Sequence, residues 1–183
     1  MKKVSTLLAV ALFSILFFGS SVTKAQLIPG TFGLNTQFGS EASELSMLYT
    51  LSNNFEVGLG VGYESASTTT DGNSSDAQNT IGVNAYVAYF LSKGDVNPYL
   101  TVAFGIMMPP KITGPPEITK NTIDVSFAFG GQVFITKNFA VYVEAGVDYN
   151  ISSTTTSSTP EVKSSDNLLS LFTSAVGASL YFW

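Results

Sequence analysis

The sequence contains no cysteine, no histidine and no arginine. Without cysteine there are no disulfide bonds and no thiolate metal sites. Histidine is the usual base beside a nucleophilic serine and a common metal ligand, so its absence removes the most frequent catalytic and zinc-binding constellations. Without arginine, the chain lacks the clustered basic residues that bind nucleic-acid phosphates. We therefore expect no enzymatic activity, no cofactor, no metal site and no nucleic-acid partner.

Charge and long apolar runs are also scarce. Charged residues make up 11% of the chain, against about 25% in typical soluble domains. The longest apolar run, residues 7–18, follows Lys2 and Lys3 and precedes a small-residue site ending at Ala25, which is typical of a signal peptide cleaved before Gln26. The run is shorter than the roughly 20 residues of a membrane helix. We predict a signal peptide over 1–25 and one domain over 26–183.

The mature chain is acidic. It keeps five lysines and all 13 aspartates and glutamates, a formal net charge of −8. No cysteine follows the predicted cleavage site, which excludes a lipid-anchored lipoprotein.

What the chain does contain is alternation between apolar and polar residues. From Phe139 to Tyr149, every second residue is apolar, and those between them include Tyr142, Glu144 and Asp148. Successive side chains of a strand point to opposite faces, so one face of this strand is entirely apolar. The pattern predicts eight strands: 31–39, 44–52, 55–63, 80–91, 98–108, 121–135, a seventh from residue 139, and 167–183. So many strands with one apolar face are typical of an eight-stranded antiparallel up-and-down barrel in a lipid bilayer.

The connections between these strands alternate in length. Tight turns are predicted at 53–54, near 93–95 and at 136–138, whereas 64–79, 109–120 and 151–166 are long and polar, and 40–43 is a short exception. This alternation is expected when one rim faces the periplasm and the other faces outside. The Ser/Thr-rich stretches 67–70 and 152–159 are predicted to be mobile and solvated.

Polar residues on the other face of the strands are candidates for the barrel interior. They are Glu56, Asp124, Gln132, Glu144 and Asp148, and we expect Glu144 to lie deepest. All remaining lysines are predicted to lie in turns or loops. Eight strands enclose a space that side chains nearly fill, and Gly58, Gly60 and Gly62 would leave room in it. Two interpretations stay open: the carboxylates accept hydrogen bonds from neighbouring polar groups or lie near the rims, or they line a narrow cation-preferring water path.

Aromatic residues near strand ends are predicted to form two interfacial girdles. They are Tyr49, Phe55, Tyr63, Tyr89, Tyr99, Phe139, Tyr149 and Tyr181. At the C-terminus, Tyr181 and Trp183 match the aromatic ending of outer-membrane barrels and are candidates for the insertion signal. Phe172, Val176, Leu180 and Phe182 make the other face more apolar, so the lipid-facing side of this strand stays open.

The mature chain resembles the small eight-stranded outer-membrane β-barrel family, the OmpA/OmpX-like porin superfamily. Its turns and strand starts are similar at Tyr89-Phe90-Leu91-Ser92, Asn97-Pro98-Tyr99-Leu100 and Thr136-Lys137-Asn138-Phe139. The resemblance implies an integral protein of a Gram-negative outer membrane, usually without catalysis. Its partners would be outer-membrane lipid and, during biogenesis, periplasmic chaperones and the barrel-insertion machinery.

The functional hypothesis is a structural or surface-interaction role, with a narrow passive pore for small solutes or cations as an added option. The alternative is a secreted, soluble, lipocalin-like barrel that binds a small apolar ligand, which predicts apolar side chains pointing inward. A lipid-modifying barrel enzyme is disfavoured by the missing histidine. The sequence predicts no oligomeric state.

Overall fold

A computed structural model of the chain describes residues 27–39, 43–66, 69–70, 73–74, 78–94, 96–109, 117–157 and 162–182. Its strands are β1 (Phe32–Gly39), β2 (Ser43–Thr50), β3 (Phe55–Ala66), β4 (Thr69–Thr70), β5 (Asn73–Ser74), β6 (Gln78–Phe90), β7 (Asn97–Met108), β8 (Glu117–Phe134), β9 (Phe139–Ser157) and β10 (Val162–Phe182). The predicted signal peptide and Trp183 lie outside the described residues. No helix in the described ranges is long and apolar enough to cross a membrane.

Eight of these strands close into a barrel in the order β1-β10-β9-β8-β7-β6-β3-β2, while β4 and β5 form a separate two-stranded hairpin. Every pairing is antiparallel and, within the barrel, joins strands that follow one another along the chain, apart from the closure of β1 on β10. The predicted eight-stranded antiparallel up-and-down barrel is therefore confirmed.

The strands are tilted against the barrel axis. A row of paired residues that starts at Ala178 on β10 and passes through Thr36 on β1 crosses every strand and returns to β10 at Asn167. The row therefore returns to β10 at a different residue from the one at which it started. Such a displacement along the strand requires the strands to tilt, as barrel closure generally does. We call the end with the tight turns after β2, β6 and β8 the turn side, and the opposite end the loop side.

The loop-side connections are shorter than predicted, because the strands continue into them. β9 reaches Ser157 and β10 starts at Val162, so most of the predicted loop 151–166 is paired strand. β8 starts at Glu117, inside the predicted loop 109–120, and β4 and β5 lie inside 64–79. The threonines of these stretches have high strand propensity, which the prediction of solvated loops underestimated. The remaining parts of these loops lie outside the described residues.

The outer surface of the barrel is apolar. Leu59 is 70% exposed, Met47 63% and Val61 55%. Lumen-facing residues such as Asn35, Ser46 and Thr50 are buried instead, so the apolar-inward arrangement predicted for a lipocalin-like barrel is wrong.

The last strand, β10, contains a bulge, and the exposure of the residues beyond it shows which face points outward. The register shifts between Leu171 and Thr173, and Phe172 has a φ of 61° and is 91% exposed. Beyond the bulge, Leu180 and Phe182 are exposed on the outside, whereas Tyr181 points inward and is 1% exposed.

Candidate functional site: the barrel interior

The interior of the barrel is divided into two regions of different character. At the turn side, buried residues form a cluster that we call the plug: Leu27, Leu48, Ala88, Phe90, Tyr99, Phe134, Ala140, Tyr142 and Tyr181. Toward the loop side lies a cavity of about 400 Å³, which we call the vestibule. All lumen-facing side chains discussed below belong to one of these regions or to the boundary between them.

Aromatic rings fill the plug. The ring centroids of Phe134 and Tyr181 lie 5.4 Å apart, and those of Phe90 and Tyr99 5.1 Å apart. Tyr142 meets Tyr99 edge to face at 6.3 Å. These are favourable distances for aromatic pairs. Because the rings come from strands on different sides of the lumen, they occupy its cross-section at the turn side.

A chain of hydrogen bonds joins the plug residue Tyr181 to two buried polar residues beside the plug. The Gln132 Nε2 atom donates to the Tyr181 hydroxyl at 2.9 Å, and that hydroxyl donates to Glu56 Oε2 at 2.9 Å. All three side chains are buried. Glu56 and Gln132 also line a small void of about 30 Å³. This volume is enough for one or two water molecules beside several polar groups.

Glu144 lies at the boundary between the small void and the vestibule, because it lines both. Its carboxylate accepts hydrogen bonds from the Tyr99 hydroxyl at 2.9 Å, the Thr101 hydroxyl at 3.4 Å and Gln37 Nε2 at 3.3 Å. Tyr142 in turn donates to Gln37 Oε1 at 3.4 Å. Three donors therefore hold this carboxylate in the middle of the lumen.

The vestibule has mainly acidic charge. The charged side chains that line it are Glu44, Glu64, Asp124, Glu144, Asp148 and Lys120. Gly39, at the loop-side end of β1, and Glu64 and Lys120, near the loop-side ends of β3 and β8, belong to its wall, so the cavity extends to the loop-side rim. Within the described part of the chain, no group of three or more acidic side chains has the arrangement of a metal site.

Three lumen tyrosines lie over glycines on the neighbouring strand. The directly paired residues are Tyr86 with Gly58, Tyr99 with Gly130 and Tyr142 with Gly177. At each glycine, an added Cβ atom would overlap the tyrosine ring. The glycines thus provide the space in which the rings lie flat against the barrel wall, and so allow the plug to pack.

The structure divides the five predicted lumen residues between the two regions. Glu56 and Gln132 belong to the plug side, whereas Asp124 and Asp148 line the vestibule and Glu144 the boundary. The expectation that Glu144 lies deepest is wrong: Glu56 is only 4% exposed, whereas Glu144 is partly exposed. The reason is that Glu56 sits beside the aromatic rings, whereas Glu144 borders open volume.

Two other predictions are corrected. Lys120 lies in β8 and Lys163 in β10, so not all of the lysines after residue 25 are in turns or loops. The cause is the loop-side extension of these strands. Tyr99 and Tyr181 are buried in the lumen and do not belong to an outer girdle.

The other six predicted girdle residues remain on the outer phase. Phe55 and Tyr89 are exposed and contact each other at a centroid distance of 4.8 Å, and Tyr49 contacts Phe32 at 4.7 Å.

As for the C-terminal signal, Trp183 lies outside the described residues, and a role of Tyr181 and Trp183 in insertion stays a prediction.

Sequence reasoning did not select four further lumen residues as candidates, namely Glu44, Asn84, Tyr86 and Tyr142. Each lies on the polar phase of its strand, next to an outward residue such as Leu45 or Val87. The phase of the alternation could have found them, and it also distinguishes Tyr99 from the outward Leu100. Their contacts across the lumen have no sequence signal.

Comparison with known proteins identifies the family. The model of the outer membrane protein beta-barrel domain family matches residues 11–182. The chain belongs to this family. It is an outer-membrane barrel protein, and the apolar outer surface described above is the surface such a barrel presents to lipid.

Solved structures show the same fold. The chain is similar to a major outer membrane protein from Thermus thermophilus, with 14% identity and a TM-score of 0.51, covering 83% of this chain and 98% of that chain. It is also similar to the N-terminal beta-barrel domain of Pseudomonas aeruginosa OprF, with 12% identity and a TM-score of 0.53, covering 84% of this chain and 98% of that domain. A search of curated protein sequences finds no match.

Proposed function

We propose that this outer-membrane barrel has a structural and surface-interaction role, with its loop-side end as the working surface, and that it does not conduct solutes at rest. The plug carries this proposal. Phe90, Phe134 and Tyr181 are each at most 2% exposed, and side chains this tightly packed leave no volume for a hydrated ion. The cavity that could receive a ligand lies on the other side of the plug, next to the loops.

The loop-side end suits a surface role because it combines a rigid base with variable connections. β8, β9 and β10 are 18, 19 and 21 residues long, whereas β1 and β2 have eight each. The three long strands form a paired sheet that continues beyond the last pair of β1 and β10, at Gly39 and Ala175. We infer that this sheet projects from the outer face of the membrane and presents polar side chains such as Ser153.

A second candidate function is a narrow cation-preferring path. It is favoured by the carboxylates of the vestibule and by Glu144, which borders both the vestibule and the small void. Tyr86 and Thr101 also border both spaces, so the separation between them is only one layer of side chains thick. In this case, transient movement of the plug would let cations pass.

Current measurements in planar lipid bilayers separate the two functions. For a resting, plugged barrel we expect no stepwise current from the wild-type protein, and frequent openings when Tyr181→Ala removes a large part of the plug. The matched control is Tyr89→Ala, which removes a half-exposed tyrosine from the outer surface and should leave the bilayer silent. A cation-selective current in the wild type that falls in Glu144→Gln would instead establish the second function and overturn the first.

A further inference from the structure

Two oxygen atoms in the wall of the vestibule lack a hydrogen-bond donor. They are Glu44 Oε1 on β2 and Asn84 Oδ1 on β6, and both are inaccessible to solvent. Buried acceptors of this kind are almost always hydrogen-bonded in folded proteins. Because the two side chains interact with each other, one cause can account for both missing hydrogen bonds.

The two side chains meet over a glycine of the strand between them. Gly60 on β3 is directly paired with Ser46 on β2 and with Asn84 on β6. Glu44 lies two residues from Ser46 on the same face, so it reaches diagonally across Gly60 toward Asn84. A Cβ atom at position 60 would overlap both Glu44 Oε1 and Asn84 Oδ1. The missing side chain thus leaves the space that these two oxygens occupy.

One half of the contact between the two side chains is already a hydrogen bond. Asn84 Nδ2 donates to Glu44 Oε2. The remaining atoms of the two groups, Oε1 and Oδ1, are acceptors when the carboxyl group is ionised. Exchanging the nitrogen and oxygen of the Asn84 amide would not remove the deficit, because an oxygen would then lie against Oε2 instead.

A proton on Glu44 satisfies both atoms at once. A protonated carboxyl group has one O–H donor, and if Oε1 carries it, this O–H can donate to Asn84 Oδ1 while Oε2 accepts from Nδ2. The result is a cyclic acid–amide pair with two hydrogen bonds. Neither oxygen is open to solvent, so a water molecule or a metal ion has no access, whereas a proton needs no extra volume.

We propose that Glu44 carries a proton in this structure and forms an acid–amide pair with Asn84 over Gly60, a latch that opens when the proton leaves. On opening, the carboxyl group turns away from Asn84 Oδ1 toward the cavity, where its O–H bond breaks and the proton passes to water in the vestibule. The vestibule then gains one negative charge, and its wall loses a link between β2 and β6.

The surroundings of Glu44 favour the neutral form. On β1, the residue paired with Glu44 is Gln37, whose amide donates to the Glu144 carboxylate on β9. On β3, the paired residue is Gly62, which brings no charge. The titratable groups that line the same cavity from the other strands are Tyr86, Glu64, Asp124, Glu144, Asp148 and the ammonium group of Lys120. An ionised Glu44 would therefore face mostly like charge.

Infrared spectroscopy of the folded protein in lipid tests the latch. With ¹³C-carboxyl glutamate as the label, we expect a label-sensitive carbonyl band of a protonated carboxylic acid at neutral pH, and we expect the part due to Glu44 to disappear in Glu44→Gln. This variant should fold like the wild type, because glutamine can form the equivalent amide–amide pair. The control Glu64→Gln, at another vestibule carboxylate, should leave the band intact. A spectrum of Glu44→Gln identical to the wild-type spectrum in this region would refute the proposal.

A second variant tests the geometry independently. Gly60→Ala places a Cβ atom against both oxygens, so the same band should shift or vanish. Gly105→Ala, at a vestibule glycine whose nearest atoms would lie 3.6–3.7 Å from the new Cβ, should not change it. Heat-modifiable gel migration establishes that each variant forms the barrel. If Gly60→Ala forms the barrel and leaves the band unchanged, the acid–amide pair is wrong.

Discussion

The two halves of the barrel interior differ in how far their side chains fill the lumen. Both are enclosed by the same eight strands. In the turn-side half, large aromatic rings fill the lumen, and some of them lie over glycines. Glu56 and Gln132 are buried beside these rings. In the loop-side half, small and acidic side chains leave about 400 Å³ open. Side-chain size, not strand number, therefore decides where this barrel is closed.

The largest expected effect comes from removing a ring of the plug. Phe134 is 1% exposed and packs on Tyr181, so Phe134→Ala leaves an enclosed cavity and should lower the free energy of unfolding by about 3–5 kcal/mol. The vestibule counterpart is Met107→Ala, which removes a side chain that already borders open volume and should cost about 1 kcal/mol or less. Urea unfolding in phospholipid vesicles measures both. Equal losses would show that the two halves do not differ in packing.

A smaller effect is expected from removing one hydroxyl group of the plug. Tyr181→Phe leaves Gln132 Nε2 without its acceptor and Glu56 without one donor, which should destabilise the barrel by about 1–3 kcal/mol. In the vestibule, Thr122→Val removes the 2.9 Å contact with the Ser152 hydroxyl. Water in the open cavity can replace that contact, so the expected loss is below about 1 kcal/mol. A loss for Thr122→Val as large as that for Tyr181→Phe would mean that the vestibule is as dry as the plug.

The sequence predicted the fold of the barrel more completely than the arrangement of side chains in its interior. Alternation of apolar and polar residues predicts the position of each strand and its outward face. The barrel could therefore be predicted from eight segments like 55–63, each with one apolar face. The same alternation places Glu56, Gln132 and Glu144 on the inward side. It does not distinguish plug from vestibule, because that depends on which strands lie opposite one another across the lumen. The contact of Gln132 with Tyr181, for example, joins residues 49 positions apart.

One question that the sequence left open and one wrong prediction have local physical causes. The bulge at Phe172 changes the phase of β10, so the residues before and after it follow different alternations. An exposed aromatic residue with positive φ has no signal in the sequence, where glycine or asparagine would be expected. The loop-side extensions of β9 and β10 were predicted as a loop because hydroxyl-rich stretches resemble linkers in composition, yet their threonines pair well in strands.

The contact between glycine and tyrosine gives the finest test of the difference between the halves. Gly58→Ala pushes a Cβ atom into the ring of Tyr86, which packs against the plug. This overpacking should cost about 1–2 kcal/mol, within the usual range for inserted methyl groups. In the vestibule half, Gly105→Ala meets only ordinary contacts and should be neutral, or slightly stabilising because it restricts the unfolded chain.

The double variant Gly58→Ala/Tyr86→Ala separates steric overlap from other effects of the glycine. If the ring is the cause, alanine at position 58 should hardly change the free energy of unfolding once the ring is absent. The coupling energy of the double-mutant cycle should then be about as large as the loss of stability in Gly58→Ala alone. If the cost at position 58 persists without the ring, backbone strain in β3 is responsible instead. Gly58 would then be needed for the curvature of the barrel wall, and not for the space that the Tyr86 ring occupies.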